Sequence, residues 1–315
     1  MKVCSLLPSA TEMLFAMGAA DEVVAVTFEC DYPAEARGLP QMVSSHMPEG
    51  LTPAEIDALV RETGAEGRSL YFADFEQIER LGPDVIVLQD LCHVCAIDSP
   101  TLARDMSRLA SRPQVVSLGA SCLEGVFGEI EMLGEVVGRG VEARALAARL
   151  RERVERVRQS VRADARRPRV LCLEWLDPLF QGGHWVPEMV EIAGGEAVLT
   201  PQRTSSLGTP SAKPAEKSRR ITWDDVAAAR PEIVVVMPCG YHLAETVAQF
   251  REISRGYPEQ WSHLPAVRDG RVYAVDGSAY FSRPGPRLAD GVDILRAIVS
   301  GEGWERLPAD GVTRL

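Results

Sequence analysis

The sequence predicts an α/β protein made of two Rossmann-like lobes, with mainly parallel sheets, joined by one long rigid helix. Continuous apolar runs rich in Val and Ile alternate with helical patterns, which is typical of parallel strands covered on both faces. A segment that begins at Phe75 recurs in similar form at Trp223, and a repeat at so long a distance indicates two related lobes rather than a solenoid. Between the copies, apolar residues at helical spacing indicate a long helix.

Seven apolar runs are predicted to form the strands. The first leads through Pro8 into a helix predicted at 10–17, for which Ser9 and Glu12 have capping-box spacing and Gly18 is the stop signal. The predicted strands are 2–7, 22–27, 84–88 and 114–118 in the first lobe, and 169–173, 232–237 and 271–275 in the second.

The internal repeat has the same order of features in both copies. FEQIERLGPDVIVLQDLC begins at Phe75, and WDDVAAARPEIVVVMPCG begins at Trp223. Each reads as an aromatic residue, an acid, a short helix, a proline, a second acid, a β-branched run and a loop containing cysteine. We therefore expect one helix–strand unit of the same design in each lobe.

One long helix is predicted to connect the lobes. It carries an apolar stripe, and its other faces are crowded with Arg and Glu, as expected of a helix with one packed side. The predicted domains are an N-terminal α/β lobe at 1–140, a connecting helix at 141–167 and a C-terminal α/β lobe at 168–315. The stripe consists of Leu146, Leu150, Val154, Val157 and Val161.

Composition and charge exclude several function classes. The chain of 315 residues has 34 basic and 45 acidic side chains and a net charge of −11, which argues against a nucleic-acid or anionic-membrane surface. No stretch approaches the roughly 18 apolar residues of a membrane span.

Pro8, Ser9 and Glu12 interrupt the apolar part of a signal peptide, so we expect a cytoplasmic protein, or an extracytoplasmic one if a leader precedes this start. We expect a monomer.

The candidate binding residues follow the predicted strands, because ligands of open α/β sheets bind beyond the carboxyl ends of the strands. These positions carry cysteine, histidine and aromatic residues instead of the usual Gly, Asp and Ser. If the lobes face each other, one interlobe cleft collects most of them. The candidates are Ser9, Glu29, Cys30, Tyr32, Gln89, Cys92 and Cys95 in the first lobe, and Glu174, Trp175, His184, Trp185, Cys239, Tyr241, Tyr280, Phe281 and Arg283 in the second.

Cys92 and Cys95 have the C-x-x-C spacing of zinc sites and of thiol redox sites. Zinc requires two further ligands, for which Cys30 and His184 are candidates if the lobes close. A redox or corrinoid-processing enzyme with this dithiol is a second alternative, and a purely structural pair of thiols is a third. The seven cysteines are unevenly spaced, so we expect reduced thiols rather than a disulfide framework.

Several motifs in fixed order give the chain a family resemblance. SLLPSATEML, ECDYP, LGPDVIVL, the long helix, EIAGGEAVL, ARPEIVVVM and AYFSRPGPRLADGVDIL together resemble the vitamin B12-binding proteins of ABC importers. These belong to the wider class of ferric-siderophore and haem receptors with a helical backbone. The resemblance covers roughly residues 3–299.

The resemblance implies a non-enzymatic substrate-binding protein that holds a corrinoid flat between two lobes. Aromatic side chains would stack on the ligand faces, and Glu29, Gln89, Arg283 and His184 would meet its polar edge. It also implies an ABC permease partner, onto which Glu76 and Asp224, the acids of the internal repeat, would dock. A metal or metal-chelate binder that uses the cysteines and histidine remains the alternative.

Overall fold

The computed structural model describes residues 1–66, 68–89, 109–200 and 217–315. The chain divides into two compact units. The first unit comprises Met1–Ala120 and Glu124–Leu150, and the second comprises Ser121–Leu123 and Arg151–Leu315. The predicted α/β class with two lobes is confirmed.

The first unit contains a six-stranded sheet with the strand order β4-β3-β2-β1-β5-β6. All neighbours are parallel except β3 and β4, which are antiparallel. The four strands predicted from apolar runs, β1, β2, β5 and β6, are present. β3 and β4 were not predicted, because both are partly exposed and β4 has only three residues. The strands are β1 (Val3–Ser5), β2 (Val23–Thr27), β3 (Gln41–Ser45), β4 (Tyr71–Ala73), β5 (Val85–Gln89) and β6 (Gln114–Leu118).

The helices of the first unit begin with α1, Pro8–Ala16. The predicted start at residue 10 and the predicted capping role of Ser9 are wrong, because the helix begins at Pro8 with Leu7 as N-cap and no side-chain cap bond. Proline suits the first helical position, since its fixed φ is helical and the missing N–H would have no partner there. The other described helices of this unit are α2 (Pro53–Ala65), α3 (Phe75–Leu81), α4 (Leu123–Val136) and 3₁₀ turns at Ala20–Glu22 and Ala34–Gly38.

The long helix is α5, Gly140–Ser160, and the boundary between the two units falls inside it. Four of the five predicted stripe residues are buried, while Val161 lies beyond the helix end. The domain limits at 140, 141–167 and 168 stay a prediction. None of the described helices is both long enough and apolar enough to cross a membrane.

The second unit contains a seven-stranded mixed sheet with the order β10-β8-β7-β11-β12-β13, and β9 pairs with β7. The centre, β7-β11-β12, is parallel, as is the pairing of β9 with β7, whereas β10-β8, β8-β7 and β12-β13 are antiparallel. The three central strands are those predicted from apolar runs. The strands are β7 (Arg169–Leu176), β8 (Leu179–Gln181), β9 (Glu196–Ala197), β10 (Arg219–Arg220), β11 (Ile233–Val236), β12 (Val272–Val275) and β13 (Val312–Arg314).

Short helices cover the second sheet, and a buried cluster that includes Leu171, Val234 and Trp261 forms the core on one side. A five-residue π-helix, Ser278–Ser282, begins two residues after β12. The other described helices are α6 (Val186–Ile192), α7 (Trp223–Ala229), α8 (Leu243–Gly256), α9 (Pro258–Ser262), α10 (Pro265–Arg268), α11 (Leu288–Ser300) and a 3₁₀ turn at Trp304–Arg306.

The internal repeat corresponds to the same local structure in both units. Helices α3 and α7 each have seven residues and end in a left-handed residue, Gly82 with φ 57° and Arg230 with φ 45°. A proline and a buried parallel strand follow in each case. The sequence similarity therefore reflects one helix–turn–strand unit used twice.

Candidate functional site

The carboxyl edge of the second sheet gathers most of the described candidate side chains of that unit. Strands β7, β11 and β12 are parallel neighbours, so the segments at their carboxyl ends meet along one edge. Glu174 and Trp175 lie in the last part of β7, which is longer than predicted. Cys239 and Tyr241 follow β11, and Tyr280 lies in the π-helix after β12.

Backbone hydrogen bonds hold these segments together. The Cys239 N–H donates to the carbonyl of Glu174 at 3.1 Å, and the Ser278 N–H donates to the carbonyl of Tyr241 at 3.0 Å. Gly277 allows the close approach, because a Cβ there would lie 2.4 Å from the Pro238 carbonyl oxygen. The edge is thus built from loops that are fixed to each other.

An aromatic pair occupies the middle of this edge. The rings of Trp175 and Tyr241 lie 5.5 Å apart with an interplanar angle of 51°. The Trp175 indole donates to the Asp177 carbonyl at 3.1 Å, and the Gln249 amide donates to the Tyr241 hydroxyl oxygen at 2.8 Å. Burial raises the pKa of Tyr241, so its phenol stays neutral near pH 7. Both rings are half-buried and held in fixed orientations.

His242 and Asp276 form a pair beside the aromatic residues. The Nδ1 of His242 lies 2.9 Å from Oδ2 of Asp276, and the side chains are 49% and 11% exposed, respectively. The other oxygen of Asp276 accepts the N–H of Ala279 at 2.7 Å. A carboxylate fixed in this way limits the orientations of the imidazole.

The loop after β8 contains both a strained and a buried candidate. His184 has φ +52°, and its Nδ1 is buried without a hydrogen-bond partner. Burial and, secondarily, the charge of Lys217 lower the pKa of His184. Trp185 is buried and donates its indole N–H to the Phe281 carbonyl at 2.8 Å. The Gly183 N–H donates to Oε2 of Glu174 at 3.2 Å, which ties the loop to β7.

The π-helix and the segment after it place the remaining candidates of the second unit. Tyr280 is half-buried, and burial together with the carboxylate of Asp310 raises its pKa to about 12. The Arg287 guanidinium lies 5.7 Å from the centre of the Tyr280 ring. Phe281 is buried, whereas Arg283 is partly exposed. A ligand can therefore reach Tyr280, Arg283 and Arg287, but not Phe281.

In the first unit, Cys30 lies inside a cluster of hydroxyl groups. Its sulfur is 3.2 Å from the Thr11 hydroxyl and 3.3 Å from the Thr27 hydroxyl, and Thr11 in turn donates to the Ser5 hydroxyl at 2.8 Å. Cys30 is 3% exposed. Ser9 is also fully buried, and its hydroxyl has no hydrogen-bond partner. In the structure, Ser9 and Cys30 lie in the interior beneath the carboxyl edge and not on its surface.

The other candidates of the first unit are more accessible. Glu29 and Gln89 are partly exposed after β2 and at the end of β5. Tyr32 is 49% exposed and, with Glu12 and Glu35, lines an open groove of about 570 Å³. Cys92 and Cys95 lie outside the described residues. No group of three or more metal-ligating side chains occurs in the described part of the chain, and the four-ligand metal site stays a prediction.

The structure also shows edge residues that the sequence reasoning missed. Phe28 directly follows β2 and is 39% exposed, and its ring stacks on Tyr71 with centroids 6.2 Å apart. Phe28 could have been predicted from the sequence, because it directly precedes the candidate Glu29 at the same strand end. Tyr71 had no signal, since it opens the unpredicted strand β4. Asp276 was missed, because only the tertiary structure pairs it with His242, which follows β11.

The two acids of the internal repeat occupy equivalent and exposed positions. Glu76 lies in the first turn of α3, and Asp224 lies in the first turn of α7. Asp74 caps the first helix and Thr222 caps the second, each through a bond to a backbone N–H. The Glu76 side chain is 89% exposed with a long contact of 3.9 Å to Arg80. Both carboxylates therefore stand on rigid helix starts facing solvent.

Comparison with known proteins gives a family and a fold. A model of the periplasmic binding protein family matches residues 3–279. The uncharacterized ABC transporter substrate-binding lipoprotein YvrC of Bacillus subtilis is 20% identical over 294 residues, which are 93% of this chain and 78% of that protein.

Solved structures with the same fold include two periplasmic proteins. The vitamin B12 binding protein BtuF of Vibrio cholerae superposes with a TM-score of 0.65 at 20% identity, covering 95% of this chain and 96% of that one. A heme binding protein from Pseudomonas aeruginosa superposes with a TM-score of 0.69 at 20% identity, covering 100% and 99%. These descriptions lend no support to the cytoplasmic location expected from the sequence.

Proposed function

Because the chain belongs to the periplasmic binding protein family, we propose that it is the substrate-binding protein of an ABC importer and that its ligand is a corrinoid such as cobalamin. It would bind the ligand, deliver it and release it chemically unchanged. A thiol-dependent enzyme acting through Cys92 and Cys95 is the competing hypothesis, and recovery of unaltered ligand after binding would argue against it.

The observation that supports the proposal is the row of fixed aromatic side chains along the carboxyl edge of the second sheet. Trp175 and Tyr241 lie in the middle of the row, and Tyr280 lies in the next loop. Offset and edge-to-face contacts of such rings suit a large flat ligand with apolar faces. Haem and corrinoids share this shape.

Polar groups on the same edges suit the rim of a corrinoid, which carries several amides. In the second unit, Glu174 and Arg283 are partly exposed, and the strained His184 lies in the neighbouring loop. In the first unit, Glu29 and Gln89 are partly exposed at strand ends. The carboxylate and amide oxygens of the protein can accept hydrogen bonds from the N–H groups of the rim amides, and the guanidinium group can donate to the oxygens of the rim amides. These residues are proposed to contact the rim.

Haem is the second candidate ligand, because a structure of equal similarity is described as a heme binding protein. Its rim bears two carboxylates instead of many amides. The carboxylate of Glu174 at the end of β7 and the net charge of −11 disfavour a dianionic rim relative to a rim of neutral amides. We therefore place the corrinoid first.

Titration followed by visible absorption tests the proposal. Cobalamin, cobinamide and haem are added separately to the purified protein, with zinc as a control for a bare metal site. Saturable binding of a corrinoid that Trp175→Ala weakens by about 10-fold, roughly one aromatic contact, supports the proposal. The matched control is Trp304→Ala, since Trp304 is 37% exposed and stacks on Tyr273 away from the strand ends.

Two other outcomes decide against a corrinoid. Tight binding of haem alone transfers the assignment to haem. Zinc bound in equal amount to protein, and lost in Cys92→Ser, favours the metal hypothesis with Cys30, Cys95 and His184.

The proposed partner is an ABC permease, and the proposed location is outside the cytoplasm. Glu76 and Asp224 are exposed on rigid helix starts, where they would pair with basic residues of the permease. Replacing both by alanine should abolish co-purification with the permease while leaving ligand affinity unchanged. Glu305→Ala is the control, because that carboxylate is also largely exposed, at 71%. Retained co-purification of the double variant would contradict this docking surface.

A further inference from the structure

We infer that Arg287 is a positioning residue, which fixes the ring of Tyr280 so that a bound ligand meets this ring in one orientation. The inference rests on the proposed function, since it assigns a role within the same binding site. It starts from the guanidinium carbon of Arg287, which lies over the Tyr280 ring at 5.7 Å from its centre. A guanidinium at this distance from the face of a tyrosine is attracted by the negative face of the ring.

The spacing of Arg287 and Gly291 explains why α11 meets the π-helix at this point. Arg287 is the N-cap of α11 and has helical backbone angles, φ −72° and ψ −6°, and residues four apart lie on the same face of a helix. A Cβ on Gly291 would lie 2.4 Å from the Tyr280 carbonyl oxygen. Glycine therefore lets this face of α11 pack against the backbone of the π-helix, and the same face carries Arg287 to the Tyr280 ring.

The backbone around Tyr280 is held by hydrogen bonds. The Tyr280 N–H donates to the Asp276 carbonyl at 3.2 Å, and the carbonyl of the next residue, Phe281, accepts the indole N–H of Trp185 at 2.8 Å. A fixed backbone does not by itself fix the ring, because the χ2 torsion of tyrosine is broad. Further contacts are needed to hold the ring in one orientation.

Two printed neighbours of the Tyr280 ring restrain it. Arg287 lies over its face, and the segment 308–311 lies at its edge, where a Cβ on Gly311 would be 3.4 Å from Cε2 of the ring. That segment is tied to the strand end, since the Asp276 N–H donates to the Gly311 carbonyl at 3.0 Å. The contact with Arg287 is the one made by a side chain, so a substitution can remove it without altering the backbone.

The helix that carries Arg287 is anchored at its start. Asp290 lies in the first turn of α11, and Asp293 follows one turn later. Arg153 of the long helix donates to both carboxylates at 2.7 Å. Charge-assisted hydrogen bonds of this kind are stronger than neutral ones. Arg287 therefore extends from a fixed helix start, and its place over the ring does not depend on a ligand.

A fixed ring binds a flat ligand more tightly than a mobile one. Ordering a mobile side chain on binding costs free energy, and a side chain that is already ordered does not incur this cost. Tyr280 is half-buried, so the core restrains only part of its ring. Arg287 thus acts on the ligand through Tyr280, and this can be distinguished by experiment from a direct contact between Arg287 and the ligand.

A double-mutant cycle with cyanocobalamin as the probe makes this distinction. Tyr280→Ala should weaken binding by about 10-fold, the effect of one aromatic contact, and Arg287→Ala should weaken it by about 5-fold, the cost of ordering one side chain. The double variant should lose about 10-fold rather than about 50-fold, because Arg287 has no ring to position once Tyr280 is replaced. Absorption titration gives the four affinities.

Two further variants control for charge and folding. Arg287→Lys should bind within about 2-fold of the wild type, since an ammonium also forms a cation–π contact. Arg306→Ala is the matched control, because this arginine of the second unit is 85% exposed and pairs with Glu305 at 3.4 Å. It should leave the affinity unchanged.

A second measurement needs no ligand. In protein with isotope-labelled tyrosine rings, the Tyr280 signal is assigned from its loss in Tyr280→Phe. The order parameter of this ring, which reports motion on the ps–ns timescale, should fall in Arg287→Ala and stay high in Arg287→Lys. Unchanged signals of the other tyrosines show that the variants are folded.

The outcomes separate this inference from the proposed function. Additive losses in the double variant would mean that Arg287 contacts the ligand itself, and they would overturn the positioning role. Wild-type affinity in Arg287→Ala, or an unchanged order parameter, would also overturn it, and in each of these cases the corrinoid function stands. If cyanocobalamin does not bind the wild-type protein, the proposed function fails, and the order parameter alone decides whether Arg287 fixes the ring.

Discussion

The indole N–H of Trp185 donates to the carbonyl of Phe281 at 2.8 Å, and the indole is almost completely buried. This bond joins the loop after β8 to the π-helix after β12, two segments that are far apart in sequence. Trp185 was predicted to contact ligand directly. In the structure it instead supports the segment that carries Tyr280.

Trp185→Phe should therefore destabilise the protein. Phenylalanine fills most of the space but leaves a buried carbonyl without its donor, which costs about 1–3 kcal/mol. Chemical denaturation should show this loss. Trp304→Phe, at a partly exposed tryptophan, is the control and should change the free energy of unfolding by less than about 0.5 kcal/mol. Equal effects of the two substitutions would contradict the supporting role.

The left-handed residues that end α3 and α7 give a paired prediction. Arg230 has φ 45°, a conformation that costs a non-glycine residue about 1 kcal/mol, so Arg230→Gly should raise the free energy of unfolding by about that amount. Gly82 has φ 57° with open space around it. Gly82→Ala should therefore lower the free energy of unfolding by a similar amount, through backbone strain alone. Thermal unfolding of both variants should show shifts of opposite sign.

Arg153 of the long helix holds α11 through two carboxylates. Its Nε donates to Asp293 and its Nη2 donates to Asp290, each at 2.7 Å. Arg153→Met should lower the free energy of unfolding by about 2 kcal/mol, because two charge-assisted hydrogen bonds are lost. Arg156→Met in the same helix removes an exposed pair at 3.8 Å with Glu152 and should cost under about 0.5 kcal/mol.

Glu129 should make the stability depend on pH. Burial raises its pKa above the unfolded value of 4.5, although the N–H groups of Gly119 and Ala120 partly oppose this. The folded state then binds more protons, so stability falls as the pH rises through the folded pKa and is restored below 4.5. Glu129→Gln should gain stability relative to wild type at neutral pH and lose that advantage at pH 4. Glu124→Gln, at an exposed position of the same helix, should show no such trend.

Tyr280 is expected to contribute its ring rather than its charge. Because its pKa is raised to about 12, the phenol remains protonated at every pH used for binding. Tyr280→Phe should therefore keep corrinoid affinity within about 3-fold, whereas Tyr280→Ala should lose about 10-fold, the effect of one aromatic contact. Equal losses in the two variants, measured by absorption titration, would assign the effect to the hydroxyl.

Seven strands could be predicted because their signal is local. The edge strand β6 is found at the predicted residues, and the central strands β11 and β12 lie within one or two residues of the prediction. Strands buried on both faces require continuous apolar residues, which a single sequence displays. The edge strands β4, β9 and β10 have two or three residues. They form because a neighbouring strand offers hydrogen-bonding groups. The local sequence does not show that such a strand is present.

The candidate site was predictable only in part. Strand ends predicted that Trp175, Tyr241 and Tyr280 lie at the carboxyl edge of the second sheet, where the structure places them, because the rule depends on chain order. Their contact with a ligand stays a prediction. Burial could not be inferred for Ser9, Cys30 and Phe281, since small and aromatic residues at a strand end can face either the core or the edge. Whether such a side chain faces the core or the edge depends on the elements that pack against its loop.

The sequence by itself determined the α/β class, the repeated helix–strand unit and the long helix, because hydrophobic periodicity and repetition are properties of neighbouring residues. The tertiary structure decided which side chains meet. Asp276 orients His242, and Phe281 accepts from Trp185, because parallel strands bring distant segments to one edge. Such contacts depend on strand order and register, and the local sequence pattern predicts neither.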